Sequence, residues 1–341
     1  MELQGYPRGS CSTLAEDGSR HPACQVTLKR EKGKWWRRIE AVHLSRPEDY
    51  LSIYQSGCNH TCLKCHSWHF TQRAAGRWMS TEMLAEEAAK YEEEVTVWEP
   101  RERATMWHAT DLCRHCGLCV LEGRRSLLCP KKLDASQVVW SVQGWGPARN
   151  IVAFTGGDVC CRAEFYAEAT EEIKKRCHKM WVLLETNGYG LTPRNLEILA
   201  SGGVDSFWLD IKAYEEEVYK KLCGTTNKWI LEAPARIVDM GFVLEVLTLY
   251  IPGWVEVDQI RRIAELVAEV DKEIPFTILA FFPEFKLRNI RAPSLWEMVS
   301  AYRAAKEAGL EKVKLGNISV FARTPSEWST LISLVGVKAL S

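Results

Sequence analysis

The chain has 341 residues, which is long enough for one large α/β domain or two smaller domains with a substantial hydrophobic core. Lys plus Arg and Asp plus Glu number 44 each, so net charge gives no reason to expect nucleic acid or an acidic membrane as a partner. No apolar run approaches the roughly eighteen residues of a membrane-spanning helix, and residues 1–24 lack the apolar core of a signal peptide.

The 13 cysteines set the chain apart from an ordinary globular protein. Their number is odd, and most of them stand in tight groups without an export signal. This usage is typical of metal ligation in a reducing compartment rather than of a disulfide framework. We therefore expect a cytoplasmic protein.

Residues 1–50 are polar and are predicted to form an N-terminal extension with little core of its own. The basic stretch KREKGKWWRR (29–38) favours a solvated hairpin or helix face over a surface that docks a macromolecule. At the other end of the chain, residues 320–341 are predicted to be a C-terminal tail.

Strands and helices alternate from residue 51 onward. Short apolar runs ending in Gly or polar residues predict strands over 51–57, 150–157, 180–188, 204–213, 242–253, 275–285 and 313–319. Amphipathic periodicity and end signals predict helices over 80–94, with Ser80 as N-cap, and over 163–177, 191–203, 257–270 and 294–309. This alternation implies a parallel sheet with right-handed crossovers, whose active site lies at the carboxyl ends of the strands.

Three cysteines follow the first predicted strand directly. Cys58, Cys62 and Cys65 are spaced C-x3-C-x2-C, one thiolate short of the four that a tetrahedral zinc ion or an ordinary iron–sulfur cluster requires. One of His60, His66 and His69 would complete a zinc site. Zinc cysteines usually come as separated pairs, however, so the spacing favours a [4Fe–4S] cluster with one iron left open for a small chelating ligand.

A second cysteine group lies in CRHCGLC (113–119) and LLCP (127–130). Cys113, Cys116, Cys119 and Cys129 form the run C-x2-C-x2-C-x9-C-P, which resembles a ferredoxin run with a longer final spacing. Four thiolates are a complete set, so we expect a closed second [4Fe–4S] cluster, with zinc on the same cysteines as the alternative. The insert that carries it is predicted to span residues 95–135.

The C-x3-C-x2-C spacing after a strand resembles the signature of the radical S-adenosylmethionine (SAM) superfamily. The resemblance implies a partial (β/α)6 TIM-like barrel over residues 51–319, in which the amino and carboxylate groups of SAM bind the fourth iron. It also implies reductive cleavage of SAM to a 5′-deoxyadenosyl radical, which abstracts hydrogen from a substrate. Lys64 stands where the superfamily often has an aromatic residue.

Further strand-end motifs extend the resemblance. TGGD (155–158) resembles the family's GGE stretch, and LETNG (184–188) and DIKA (210–213) resemble motifs of the pyruvate formate-lyase activating enzyme. LYIPG (249–253) and AFFPEFKL (280–287) resemble the same group, with Phe282 where its members often have His. The match implies that SAM or the substrate lies near seven residues: Gly156, Gly157, Asp158, Thr186, Asn187, Asp210 and Lys212.

The resemblance implies most specifically an activase that places a glycyl radical on a partner enzyme, with ferredoxin or flavodoxin as reductant. The second cluster would then be an electron relay or a structural element. Activases usually carry such an insert before the first helix, whereas here it follows the helix over 80–94. Two other classes stay open: a radical SAM enzyme acting on another peptide, a cofactor precursor or a nucleoside, and a non-enzymatic two-cluster electron carrier or zinc protein.

Cys160 and Cys161 follow TGGD at the presumed active rim and are the candidate catalytic residues. A thiol donor, a radical relay or an extra cluster ligand are the roles considered, beside simple packing. Cys177 and Cys223 are predicted to be buried small hydrophobes.

Overall fold

The computed structural model describes all residues 1–341. Its strands are β1 (Thr13–Leu14), β2 (Arg20–His21), β3 (Leu28–Glu31), β4 (Lys34–Ser45), β5 (Tyr50–Gln55), β6 (Arg77–Ser80), β7 (Val139–Ser141), β8 (Gly144–Gly146), β9 (Ile151–Gly156), β10 (Trp181–Thr186), β11 (Ser206–Asp210), β12 (Val243–Tyr250), β13 (Phe276–Ala280) and β14 (Val313–Gly316). Its α-helices are α1 (Ala23–Val26), α2 (Trp68–Thr71), α3 (Thr81–Glu92), α4 (Leu118–Leu121), α5 (Ala163–Arg176), α6 (Pro193–Ser201), α7 (Glu216–Cys223), α8 (Ala233–Asp239), α9 (Val257–Val270), α10 (Leu295–Glu307) and α11 (Pro325–Val335).

One curved α/β sheet forms the centre of the molecule. Seven strands pair in parallel in the order β5, β9, β10, β11, β12, β13, β14, and antiparallel β4 and β3 continue the sheet beyond β5. The two ends of this sheet do not pair with each other, so the barrel is partial. The predicted α/β class with a partial barrel is confirmed.

Alternation along the strands separates the two faces of the sheet. On β9, Val152 and Phe154 point outward into the large core that the flanking helices share, whereas Ala153 belongs to a smaller inner cluster with Tyr50 and Leu183. Among the predicted helices, α3 begins where expected, because the Ser80 side chain accepts a hydrogen bond from the Met83 backbone N–H. The short helices α7, α8 and α11 were not predicted.

The segment between α3 and β9 closes the amino-terminal end of the barrel. It forms hydrogen bonds with residues at or near the start of five strands. In these bonds His115 contacts Asp49, Glu99 contacts Trp181, Arg101 contacts Asp205, and Trp107 contacts both Glu245 and Lys314. We call residues 97–115 the floor segment. The first cysteine group lies in a loop at the carboxyl ends of the strands. The floor segment and the first cysteine group are therefore at opposite ends of the barrel.

The N-terminal region contributes to this architecture more than its composition indicates. β3 and β4 form the hairpin predicted as one alternative, but β4 also pairs along β5. The expectation of a solvated face is wrong for Arg37, whose side chain is fully buried. The predicted domain boundaries stay predictions: the end of the N-terminal extension at residue 50, the insert over residues 95–135 and the end of the barrel at residue 319. No helix has the length and apolar character needed to cross a membrane.

Candidate metal and cofactor site

The first cysteine group lies at the carboxyl end of β5. Gly57 directly precedes it with a φ of +73°, and a Cβ at this position would come within 2.8 Å of the Thr27 side chain. Glycine is therefore the residue that allows the chain to turn out of the sheet here. The turn brings Cys58, Cys62 and Cys65 to the rim where β9, β10 and β11 also end.

Cys58 faces the end of β10. The Asn187 side-chain amide donates to the Asn59 side-chain oxygen at 2.7 Å and to the Cys58 Sγ at 3.7 Å. Burial raises the pKa of the Cys58 thiol well above its usual range, with the nearby Asp158 carboxylate and Cys62 adding to the effect. A bound cation is what would stabilise the thiolate form here.

Asp158 connects the cysteine loop to the ends of two strands. One carboxylate oxygen accepts from the Cys160 backbone N–H at 2.7 Å. The other accepts from the Thr186 hydroxyl at 2.6 Å and from the Asn187 N–H at 2.9 Å. The Asp158 carbonyl accepts from the Asn59 N–H at 2.7 Å. With 5% of its surface exposed, this carboxylate positions the rim rather than presenting a free charge.

Two glycines and a buried arginine hold the adjoining turn. A Cβ on Gly157 would lie 2.1 Å from the Gly57 carbonyl oxygen, so only glycine permits this approach. The Arg37 guanidinium donates to the carbonyls of Gly57 and Gly157 at 3.2 Å each and to the Thr27 hydroxyl at 2.6 Å. Burial lowers the pKa of Arg37. Gly156, with φ of +84°, faces the Phe70 ring.

Asp210 and Lys212 lie on the Cys62 side of the rim. The two side chains form an ion pair, and one Asp210 oxygen is buried without a hydrogen-bond partner. Lys212 is close enough to lower the pKa of His60, after burial, which is the larger cause. The seven residues predicted near SAM are thus divided: Gly156, Gly157, Asp158, Thr186 and Asn187 flank Cys58, whereas Asp210 and Lys212 flank Cys62.

Cys65 is the third thiol. Its Sγ lies 3.4 Å from the Thr71 hydroxyl, and burial together with neighbouring Cys62 raises its pKa. The preceding residue, Lys64, is ion-paired with Glu284 at 2.5 Å, and its ammonium lies 3.6 Å from the centre of the Phe282 ring.

The spacing of these thiols bears on the kind of metal centre. The ligand atoms of Cys58, Cys62 and Cys65 do not all lie within 4.8 Å of one another. A single tetrahedral zinc requires ligand atoms roughly 3.5–3.8 Å apart. A four-iron cluster is larger, so its cysteines stand farther apart, and this arrangement suits it better.

The second cysteine group lines one small cavity. Cys113, Cys116, Cys119 and Cys129 all contribute to its wall, together with Gly117, whose φ is +71°. The His115 N–H points at the Cys113 Sγ at 3.3 Å, and the Arg125 guanidinium donates to the Cys129 Sγ at 3.7 Å. Donors of this kind around sulfur are what stabilise thiolates.

Contacts of the residues beside Cys113 place this cavity at the floor. The His115 ring lies 2.9 Å from the fully buried Asp49 carboxylate, which directly precedes β5. Arg114 donates to the carbonyls of Leu340 and Val337 near the end of the chain. The two cysteine groups therefore lie at opposite ends of the barrel, separated by the length of β5, roughly 20 Å for six residues.

Cys160 and Cys161 lie behind the Asp158 turn. Cys160 is only 2% exposed and belongs to the main hydrophobic core. The half-buried Cys161 lies beside Cys24, and the interaction of the two thiols lowers the pKa of Cys24 and raises that of Cys161. Cys24 belongs to α1, and nothing in the sequence indicates that it lies beside Cys161.

The barrel interior holds an acidic side chain just below the rim. Glu185, from LETNG, accepts hydrogen bonds from the Tyr50 hydroxyl at 2.9 Å and from Thr155. Burial raises the pKa of Glu185 to about 8. The LETNG motif points to the Thr and Asn that follow Glu185 and gives no signal for Glu185 itself.

Arg37, Asn59 and Cys223 are further residues at the site that sequence reasoning missed, whereas His60 was named as one candidate zinc ligand. Alternation with Ile39 along β4 is the only sequence signal that could have indicated an inward Arg37. For Cys223, an amphipathic pattern over 216–223 could have predicted α7 and thereby its end at this cysteine.

Comparison with known proteins supports the resemblance drawn from the motifs. A family model described as the Radical SAM superfamily matches residues 113–267. An uncharacterized protein of Methanocaldococcus jannaschii is 30% identical over 141 residues, 41% of either chain. A second protein of that organism, named "Putative glycyl-radical enzyme activating enzyme", is 30% identical over 158 residues, 45% of this chain and 58% of its own length.

Two solved structures are also similar. A domain of pyruvate-formate lyase-activating enzyme from Bacteroides vulgatus is 16% identical, with 49% of this chain and 98% of that chain covered and a TM-score of 0.42. The FeFe-hydrogenase maturase of Carboxydothermus hydrogenoformans is 15% identical, with 76% and 63% covered and a TM-score of 0.41.

The family match begins at Cys113 and therefore includes the second cysteine group but not the first. Position in the fold separates the two groups, since only Cys58, Cys62 and Cys65 stand at the carboxyl rim beside Asp158 and Asn187. The chain spans 41% and 58% of the lengths of the two curated relatives it matches. Residues 113–267 thus match the Radical SAM superfamily model, and the chain is similar to a protein named as an activating enzyme.

Proposed function

We propose that this protein is a radical SAM enzyme whose [4Fe–4S] cluster is held by Cys58, Cys62 and Cys65 and binds SAM at its fourth iron. The observation that carries the proposal is the position of these three thiols at the carboxyl rim, tied by Asn187 and the Asp158 carbonyl to the neighbouring strand ends. Cluster and SAM, when bound, supply one-electron cleavage of SAM and a radical that abstracts hydrogen from the substrate.

The rim residues provide the shape and charge that such a cofactor needs. Gly156 and Gly157 leave bare backbone beside the cysteine loop, and Asn187 donates toward Cys58. Lys212 and Asp210 place a cation and an unsatisfied carboxylate oxygen on the Cys62 side. An amino acid carries both an ammonium and a carboxylate, so paired charges of opposite sign suit its recognition. We assign Gly156, Gly157, Asp158, Thr186, Asn187, Asp210 and Lys212 to this site, with Asp158 as a positioning residue.

A second [4Fe–4S] cluster bound by Cys113, Cys116, Cys119 and Cys129 belongs to the same proposal. The four thiols line one cavity, and backbone and guanidinium donors point at two of them. Its place at the floor, roughly 20 Å from the first group by the length of β5, supports a structural role more than a direct electron relay.

The substrate we propose is a protein, as for an activase, with ferredoxin or flavodoxin as the reductant. The similarity to a protein named as a glycyl-radical enzyme activating enzyme supports this choice. A peptide, cofactor precursor or nucleoside is the second candidate, because the named relative is matched over only 58% of its length. A cytoplasmic location, where such reductants are found, is part of the proposal.

Anaerobic reconstitution with iron and sulfide, followed by dithionite and SAM, tests the proposal. We expect 5′-deoxyadenosine from the wild type and none from Cys62→Ala. Cys177→Ala is the matched control, because Cys177 is a fully buried cysteine at the end of α5 that belongs to neither cysteine group. Absence of 5′-deoxyadenosine from wild type that holds its full iron would contradict the proposal. A glycyl-radical EPR signal on a co-incubated partner would identify the activase role.

A further inference from the structure

A second possible ligand set involves Cys62 and two residues that no motif includes. One ligand atom each from His60, Cys62 and Cys223 lies within 4.8 Å of the other two. This is the only set of three such side chains in the whole chain that meets this closely. His60 and Cys62 come from the rim loop, whereas Cys223 ends α7.

His60 carries an unsatisfied ring nitrogen inside the protein. It is 1% exposed, and its Nε2 lies 2.9 Å from the Thr225 hydroxyl. The other ring nitrogen, Nδ1, is buried without any hydrogen-bond partner. An unpartnered buried polar atom is costly, so a ligand that satisfies the ring would stabilise this arrangement. Tyr189 and Tyr219 pack edge-on against the ring and fix its position.

Backbone hydrogen bonds fix the distance between the two cysteines. The last two carbonyls of α7 accept hydrogen bonds from the loop that contains His60 and Cys62. The Leu222 carbonyl accepts from the Leu63 N–H at 2.8 Å, and the Cys223 carbonyl accepts from the Thr61 N–H at 3.4 Å. The Ser10 hydroxyl donates to the same Cys223 carbonyl at 2.7 Å. Because the helix end has satisfied its carbonyls with this loop, the two chain segments form one unit.

The chemistry of this set is that of a soft divalent cation. Two thiolates and an imidazole are common zinc ligands, and bonds of about 2.3 Å to sulfur and 2.0–2.1 Å to nitrogen place the ligand atoms roughly 3.5–3.8 Å apart. Separations within 4.8 Å need only small side-chain adjustments to reach that geometry. Metal binding would release the two thiol protons, leaving a site whose two thiolate charges balance the cation.

We propose that His60, Cys62 and Cys223 hold one zinc-type divalent cation when Cys58, Cys62 and Cys65 carry no iron–sulfur cluster. Cys62 belongs to both ligand sets, so one occupant excludes the other. The exclusion rests on the proposed function, whereas the cation site itself rests only on the three side chains. Zinc would then hold the chain in a state that cannot assemble its first cluster.

Cobalt is a suitable probe because thiolate-bound Co2+ absorbs in the visible and near-ultraviolet. The full chain, stripped of metal under anaerobic reducing conditions, would be titrated with Co2+ and then with Zn2+ as competitor. Cys113, Cys116, Cys119 and Cys129 form a second possible Co2+ site, so each titration is repeated in a Cys113→Ala/Cys116→Ala background. In that background we expect about one Co2+ per chain, displaced by Zn2+.

Variants separate this site from the cluster cysteines. Cys223→Ala should abolish the remaining Co2+ absorption, whereas Cys177→Ala and Cys58→Ala should retain it. The proposal is overturned if Cys223→Ala binds as much Co2+ as its parent, or if Cys58→Ala loses as much as Cys223→Ala. His60→Gln should shift the cobalt spectrum by removing the nitrogen ligand, and an unchanged spectrum would remove His60 from the site.

Iron uptake measures whether zinc at this site excludes the first iron–sulfur cluster. In the Cys113→Ala/Cys116→Ala background, zinc loaded before reconstitution should prevent about four irons from entering, and it should not prevent this when Cys223→Ala is added. Equal iron uptake by these two zinc-loaded proteins would overturn the exclusion. If zinc-free wild type takes up iron but cleaves no SAM, the proposed function fails while the cobalt result still decides the cation site.

Discussion

The Lys64 ammonium lies 3.6 Å from the centre of the Phe282 ring, although 218 positions separate the two residues. They are two positions at which the sequence differs from the motifs that it resembles. Lys64 is 9% exposed and also pairs with Glu284. The two departures therefore contact each other across the rim, from the cysteine loop to the loop after β13.

A double-mutant cycle measures this contact. Lys64→Met and Phe282→Leu should be coupled by about 1–2 kcal/mol in the free energy of unfolding, because a cation over a ring is stronger where water is excluded. Urea unfolding of the four proteins gives the coupling. The control is the half-buried Phe285 with the exposed Lys286, whose ammonium lies 5.4 Å from the ring centre, and for this pair we expect about 0.5 kcal/mol or less. Coupling energies that are equal in the two cycles would contradict the expectation.

Iron content distinguishes the two cysteine groups. Reconstituted wild type should hold about eight irons, and Cys62→Ala and Cys116→Ala about four each. Only Cys62→Ala should lose SAM cleavage completely, since a cluster with four thiolates has no vacant iron. SAM should perturb the EPR signal of the first cluster alone. A SAM-dependent shift confined to the second cluster would mean that the two roles are reversed.

Replacing Asp158 with Asn tests its role in positioning the rim. The new amide nitrogen would face an N–H or O–H donor instead of accepting from it, leaving buried donors unpaired. We expect Asp158→Asn to cost about 2–4 kcal/mol in the free energy of unfolding and to weaken SAM binding. Asp239→Asn, at an exposed carboxylate without hydrogen-bond partners, is the matched control. Equal stability of the two variants in urea would rule out this role.

Glu185 should make the stability of the fold depend on pH. Burial raises its pKa in the folded chain to about 8, whereas an unfolded Glu has a pKa of about 4.3. The folded state therefore binds more protons between these values, and the free energy of unfolding should decline as pH rises from about 5 to about 8. Glu185→Gln should reduce this decline, measured as urea midpoints across the range. The exposed Glu171→Gln should leave it unchanged, and a Glu185→Gln profile identical to wild type would refute the assignment.

The sequence was informative where local pattern determines structure. Apolar runs and glycines placed the parallel strands, and the Ser80 cap placed the start of α3, because these signals act over a few residues. Arg37 shows the limit. The last seven residues of KREKGKWWRR include four cations, and nothing local distinguishes the one that is buried. Burial of Arg37 is tolerable because its guanidinium donates to the distant carbonyls of Gly57 and Gly157 and to the Thr27 hydroxyl.

The same limit applies to the relation between the two cysteine groups. Their spacings indicated metal ligation, but nothing local shows that one lies at the rim and the other at the floor. That separation depends on contacts such as His115 with Asp49, which join positions 66 residues apart. Cys223 is a similar case, because its nearness to Cys62 follows from how the end of α7 packs on the rim loop.

Through the proposed second cluster, the floor segment would couple the folding of the barrel to the supply of iron. Residues 97–115 contact the beginnings of five strands and also include Cys113, so a cluster that orders this cysteine also orders the contacts beside it. Free energy of metal binding is free energy of folding when the ligands are disordered without metal. If the proposed second cluster is bound there, iron starvation would make the floor of the barrel less rigid and expose the chain to proteases, whether or not the first cluster at the rim is assembled.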